Sequence, residues 1–398
     1  MVCRAIILLL DKNSFCAKFA ANKRPLNMKI SNLPSLVLLV FLGLVATSCS
    51  TSTSGIPAAI GSAGKITIIM PSGLKAGPAG KLLDSLLRRE ASVLPREEYV
   101  YDLRYVNPET TTRSHKNLRN IIFAFTFDDQ SPEAGKVKSM IESKSLEMLQ
   151  ANPDGYVHTQ SDVFARGQEV MFLFGPNAET LEQNLRANGK RISDYFNEKE
   201  KQRLRTGILK SNANQALTEQ IEKKFGFNIR IPFGYQLADQ QKDFVWLRQI
   251  NPADDKDIWI ARKKFTSMED FSKDQLIRFR NDVCGKYLFE DPEKPDTYLV
   301  TETRVSSKPV TIKTINFNGF YAVEMRGLWR TNIPSMGGPF LGYALVDEAA
   351  GWFYYIEGFV FSPSKPQREI IREMEVILNT FKFSASKESK IDTLKNSL

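Results

Sequence analysis

GGPFLGYALVDEAAGWFYYIEGFVF, residues 337–361, decides how the second half of the chain folds. It holds two strand candidates, Leu341–Val346 and Trp352–Phe361, dense in aromatic and β-branched side chains, behind a Gly337-Gly338-Pro339 turn. Strand candidates continue upstream at Phe320–Gly327, Val310–Ile315, Tyr298–Arg304, Asp257–Arg262 and Phe244–Leu247. Strands that mostly follow one another, bracketed by helices, predict an antiparallel sheet covered by helices, α+β in character. Leu217, Ile221 and Phe225 mark one bracketing helix, ahead of the alternation Phe227, Ile229, Ile231 and then Pro232. Ile370, Ile371, Met374, Ile377, Leu378 and Phe381 form the one-face stripe of the other.

The first half has a different texture. Ile66–Met70, Tyr99–Val106, Asn120–Phe127 and Val170–Phe174 read as strands. Between them, Leu82, Leu83, Leu86 and Leu87 repeat at helical spacing, and Val137, Met140, Ile141, Met148 and Leu149 predict one further amphipathic helix. A helix runs through Leu181 and Leu185, and Ile192, Tyr195, Phe196 and Leu204 lie on a charged helix near Glu198–Arg205. Strands alternating with helices predict α/β layers. The expected fold is therefore α/β plus α+β in two domains: an N-terminal α/β layered domain at 65–210, and a C-terminal antiparallel sheet covered by helices at 211–384. No internal repeat is present.

Ahead of both lies a targeting pattern. Leu33–Ala46 is almost wholly apolar, with one Pro, and at about 14 residues it falls short of the roughly 20 that span a bilayer. Lys29 precedes it, and Ala46-Thr47-Ser48 lead into Cys49, the layout of a secretory signal peptide. The cysteine after small residues resembles the bacterial lipobox, in which it is lipidated and becomes the first residue of the mature chain, although Ala46 stands where leucine is commonest. Met28-Lys29-Ile30 is a conventional start, so 1–27 reads as a mis-called extension, 28–48 as the signal peptide, 49–64 as a flexible Ser/Thr/Gly/Ala tether, and 385–398 as a disordered tail. No acidic cluster follows Cys49 before Lys65, which favours an anchor facing the periplasm. The expected location is the periplasmic face of the outer membrane.

The formal charge of +9 overstates the mature chain. Residues 1–48 hold six Lys or Arg and one Asp, leaving 48 basic against 44 acidic residues beyond them. That is no nucleic-acid footprint, and no Lys/Arg stripe interleaved with aromatics appears. Of Cys3, Cys16, Cys49 and Cys284, only Cys284 stays a free thiol after processing and lipidation, so there is no disulfide framework and a hydrophobic core must hold the fold. Cys284 itself reads as a small buried apolar residue.

Catalytic signatures fail on inspection. ITIIMPSGLKAGPAGKLLDSLL imitates a phosphate-binding loop, but Leu82 stands where Ser or Thr would hold magnesium, and Lys75 stands where the leading Gly belongs. Ser72/Lys75 and Ser362/Lys365 fit S-x-x-K without its companion motifs. His115 and His158 lie 43 positions apart, too isolated for an ordinary zinc site. No cofactor, metal set or catalytic residue is expected. What remains is charge set inside apolar strands. Glu324 and Arg326 share one face of a strand, Glu302 and Glu357 lie mid-strand, and all four converge on a charged cleft if their strands are neighbours; otherwise they form ion pairs across a solvated face. Trp329 and Arg330, in GLWRTNIPSMGGPF, add an interaction hot spot if exposed, whereas a buried Trp329 belongs to the core.

SHKNLRNIIFAF, FARGQEVMFLFGP, FNIRIPFGY, EMRGLWR, GGPFLGY and the terminal LNTFKF together resemble the DUF4837 family of uncharacterised Bacteroidetes lipoproteins, a likeness expected to run from about Lys65 to Phe383. The second half also resembles the PsbP-like α/β sandwich, whose members are generally binding or assembly modules. The reading is a lipid-anchored, periplasm-facing envelope lipoprotein held to the membrane through Cys49, a binding or assembly module expected to contact an envelope protein partner through the Glu324–Phe340 region. Two alternatives stand: a carboxylate-dependent glycan or cell-wall hydrolase, and a small-molecule or lipid carrier.

Overall fold

Asn120–Thr126 and Glu169–Gly175 are buried at every position, as strands covered on both faces must be. The computed structural model describes residues 55–384 apart from 153, 211, 212, 253 and 292. The stretches expected as an extension (1–27), a signal peptide (28–48), the anchor Cys49, the first part of the tether and a tail (385–398) lie outside the described residues.

The first domain is a five-stranded sheet of β1 (Lys65–Ile69), β2 (Asp102–Val106), β3 (Asn120–Thr126), β4 (Val157–Ser161) and β5 (Glu169–Gly175), in the order β2-β1-β3-β5-β4. All neighbours run parallel except β4, which is antiparallel to β5. Helices α1 (Pro78–Leu87) and α4 (Ala178–Arg205) cover one face, packing Leu83, Leu87, Leu181, Leu185, Ile192 and Phe196 onto Ile66, Ile68 and Ile122. Helices α2 (Pro132–Lys138) and α3 (Ser143–Gln150) cover the other with Val137 and Leu149. Two expectations change here. The helix drawn through Val137–Leu149 is two helices, and the helices placed at Leu181 and at Glu198 are one element of 28 residues. Asn177 caps that long helix by accepting from the Thr180 N–H at 2.9 Å.

The second domain opens with α5 (Gln215–Phe225), stopped by Gly226 in the left-handed region at φ 74°. β6 (Phe227–Asn228) follows, then β7 (Gln236–Gln240), β8 (Phe244–Asn251), β9 (Asp254–Lys264), α6 (Lys273–Tyr287), β10 (Phe289–Asp291), β11 (Lys294–Glu302), β12 (Thr311–Phe317), β13 (Phe320–Thr331), β14 (Gly337–Asp347), β15 (Trp352–Phe361), α7 (Arg368–Leu378) and β16 (Lys382–Phe383). The antiparallel sheet runs β10-β11-β13-β14-β15-β9-β8-β7, with β12 also paired to β13. Asn318 and Gly319, at φ 53° and 96°, make the tight β12–β13 turn. The stretch at 337–361 is the centre of this sheet, with Tyr343 opposite Ile356 and Val346 opposite Phe353. Its two faces carry separate cores. α5, α7 and the β6–β16 ribbon pack Ile221, Phe225, Met374 and Ile377 on one, and α6 packs Leu276, Val283 and Cys284 on the other. Cys284 is fully buried, and burial pushes its thiol up to about 12.

Phe227–Ile231 was expected as a strand, but only Phe227–Asn228 pairs, while Ile229 and Ile231 are completely buried. The tether is ordered sooner than its composition suggests. The Arg166 N–H donates to the Pro57 carbonyl, the Ala59 N–H to Arg166 and the Ile60 N–H to Asn117, so residues 57–60 lie pinned on the first domain.

Candidate functional site at the domain junction

The sheet's two covered faces separate the residues that were expected to meet. Pairing places Glu324 beside Tyr343 and Arg326 beside Leu341, on the face of α7. Glu357 pairs with Gly342 and Trp259, on the face of α6. The four-residue cleft therefore does not form. Glu357 is completely buried and receives two 2.8 Å bonds from Arg280 of α6, one from Trp259 Nε1 at 3.1 Å and one from the Tyr355 hydroxyl at 2.8 Å. Arg280 also donates to Thr301 Oγ1 at 3.1 Å and lies over the Phe340 ring. A carboxylate so surrounded has no lone pair left for a substrate. Gly342 is required beside it, because a Cβ there would collide with the Tyr355 hydroxyl oxygen.

Trp329 is core, not a hot spot: it is 3% exposed and donates from Nε1 to the Val360 carbonyl at 3.2 Å. Arg330 bonds the carbonyls of Thr331 and Asn332 and lies 3.0 Å from Glu302. Glu302 also pairs with Arg304 at 2.7 Å, and that hydrogen bond, against burial, holds its carboxyl down at about 2. The phosphate-loop lookalike is sealed from within, since Glu133 accepts from the Ser72 backbone and hydroxyl and from Asn107. Among the described residues no group of three His, Cys, Asp or Glu is placed to hold a metal ion.

Glu324 and Arg326 lead elsewhere, to the junction of the two domains. Arg326 binds Glu324 at 2.8 and 3.1 Å and reaches Glu375 of α7 at 3.4 Å. Lys201 of α4 grips the same Glu375 at 2.6 Å across the junction. Burial alone would raise the Glu375 carboxyl, and the two cations reverse this and leave it below its ordinary value. Arg372 donates to Asn197 at 3.2 Å, and Arg368 bonds the Tyr99 carbonyl at 2.6 Å and Asp102 at 3.2 Å. α7 has no side-chain cap of its own. The first domain supplies one: Glu98 accepts from the Gln367 and Arg368 N–H groups at 2.7 and 2.9 Å, placing a negative charge on the helix's positive end.

These contacts surround a pocket of about 220 Å³ lined by Arg89, Arg326, Arg368 and Arg372, with Ser193, Asn197, Leu94 and Ile371 among its walls. Arg326 was singled out from sequence. Arg372 and Glu375 were not, because they ride the polar edge of a stripe otherwise read as apolar.

Fold and site together define a two-domain α/β plus α+β protein whose charged groups meet where the domains join. Residues 214–380 match the family model described as a domain of unknown function, DUF4837, and residues 59–209 match a second, DUF8532. The DUF4837 likeness is thus borne out for the second domain, and the expectation that it extends to Lys65 is corrected, since a different family model covers the first. No curated protein matches the chain. Among solved structures it is similar to the Saccharomyces cerevisiae Ran-binding protein Mog1p (7% identity, TM-score 0.27, 40% of this chain and 90% of that one). It is also similar to the human StarD13 lipid transfer and protein localization domain (12%, 0.19, 42% and 95%). A third is a Bacteroides thetaiotaomicron protein (10%, 0.18, 41% and 46%). At these TM-scores the likenesses carry no argument.

Proposed function

We propose that the protein is an envelope lipoprotein, anchored through Cys49 on the periplasmic face of the outer membrane, and that it serves as a binding or assembly module. The junction supports the binding reading. Elsewhere the buried carboxylates are locked in ion pairs, whereas the junction combines an open pocket with arginines from both domains. The anchor reading rests on the apolar run and small residues that lead into Cys49. Purification from gently cross-linked membranes, wild type against Cys49→Ala, tests both parts. A stoichiometric protein partner that is lost with Cys49→Ala supports anchored assembly. Recovery of the protein alone from both preparations counts against it.

One observation favours the hydrolase alternative. Asp257 of β9 is 2% exposed, and burial pushes its carboxyl up to about 7 despite Arg248 Nε at 2.9 Å, with Asp255 also nearby. The two acids line an aromatic crevice with Trp246, Trp329 and Phe359. Its volume of about 30 Å³ has room for the attacking water, so the sugar itself would have to lie outside the crevice. Release of reducing ends from envelope glycan by wild type, abolished in Asp257→Asn, would establish this reading in place of the first.

A further inference from the structure

We propose that the junction pocket is an oxyanion site, in which a phosphate group carried on a short apolar stem sits among Arg89, Arg326 and Arg372. This extends the binding reading above to the chemistry of the ligand, and it rests on the pocket and not on the anchor.

Three separate segments converge to make the site: the end of α1, strand β13 and helix α7. Arg89 has no carboxylate within ion-pair distance among the described residues; its guanidinium donates to the Leu86 carbonyl and to Ser193 Oγ, each at 3.2 Å. Arg372 is 5% exposed and is fixed on two of its three nitrogens, by Asn197 and Glu369. Arg326 is fixed through Nε and Nη2 by Glu324 and Glu375. Arg89 Nη1, Arg326 Nη1 and Arg372 Nη2 make no bond to protein among the described residues, and all three side chains line the pocket. A guanidinium anchored on one side with donors open on the other is prepared to bind an oxyanion without paying first for ordering.

Although Arg326 and Arg372 are each paired with a carboxylate, the pocket lining carries four arginines, Arg89, Arg326, Arg368 and Arg372, against two acids, Asp194 and Glu375. Glu375 is shared between Arg326 and Lys201, and Asp194 is paired with Lys190. Ser193 Oγ offers a further neutral partner, and Leu94 and Ile371 give the carbon stem an apolar wall. The volume of about 220 Å³ lies below the roughly 300–1,000 Å³ of pockets for drug-sized molecules, so the site takes one charged group and a few carbons.

The test is isothermal titration of the protein, purified from membranes in mild detergent, with inorganic phosphate, glycerol 3-phosphate and short-chain phosphatidate, against chloride. Saturable binding of any phosphate compound, weakened about tenfold by Arg89→Gln as expected for loss of a charge-assisted bond, supports the site. Arg89 is exposed, so the variant keeps its fold, and an unchanged melting temperature verifies this. Arg88→Gln, next to it but outside the pocket, is expected to bind like wild type. Tighter binding of phosphatidate than of glycerol 3-phosphate identifies a lipid headgroup as the source, and equal binding identifies a free phosphate ester. Heats no larger than those of chloride, or binding indifferent to Arg89→Gln, overturn the proposal. Either result leaves the Cys49 experiment standing, so the two readings fail separately.

Discussion

Arg280 and Glu357 form a completely buried ion pair, and the energetics of such a pair are lopsided. Both charges are stripped of water, so their attraction and hydrogen bonds do little more than offset desolvation. Removing one partner strands the other. Glu357→Ala is therefore expected to destabilise the second domain by about 3–5 kcal/mol, read as a lower urea midpoint, whereas the double replacement Arg280→Met with Glu357→Leu recovers most of the loss. Asp257 behaves differently because it carries a pH signature. Unfolded, it titrates near about 3.9; folded, at about 7. Between those values the native chain holds a proton that the unfolded chain has released, so this residue's contribution makes stability fall as pH rises from about 4 to about 7 and level off above. Urea midpoints at pH 4.5 and 7.5 should show that slope in wild type and a flatter one in Asp257→Asn; equal slopes would refute the assignment.

At the scale of elements, the open question was never which segments are strands but which way their side chains point. The run at 337–361 declared its strands through aromatic and β-branched content and the sheet formed, but Gly337-Gly338-Pro339, expected as a turn, opens β14 instead and pairs with Arg330, Trp329 and Leu328. The positions of its charges could not be read in the same way. Alternation distinguishes a wet face from a dry one only when one face is wet, and here α6 and α7 cover both. Glu357 and Glu324 therefore looked equivalent in sequence and lie on opposite faces. One signal was available: in α6, Arg280 falls four residues after Leu276 and four before Cys284, a charge in the middle of a buried stripe that needed a carboxylate partner. The trans cap of α7 had no signal, since Glu98 lies 269 residues away. Glu98→Gln should cost about 1 kcal/mol and speed amide exchange in the first turn of α7 while leaving α6 unchanged.

At the scale of the molecule, the domain junction is a clamp built from Lys201, Glu375, Arg372, Asn197, Arg368 and Glu98. Lys201→Met leaves Glu375 buried with only Arg326 for company and should loosen the junction, so that protease cuts between residues 205 and 215 in the variant under conditions where wild type resists. A transition that stays single and a linker that stays protected would show that the clamp is dispensable. The first part of the chain has a further geometric consequence. The described chain is first held at Pro57, whose carbonyl takes the Arg166 N–H. Eight residue steps separate Pro57 from Cys49, so on the proposed anchoring their span cannot exceed about 28 Å, whatever path they follow. If Cys49 is the anchor, Pro57 and the Arg166 backbone that holds it stand within that reach of the lipid. A fluorophore at Arg166→Cys should then be quenched by spin-labelled lipid, and one at Met268→Cys much less.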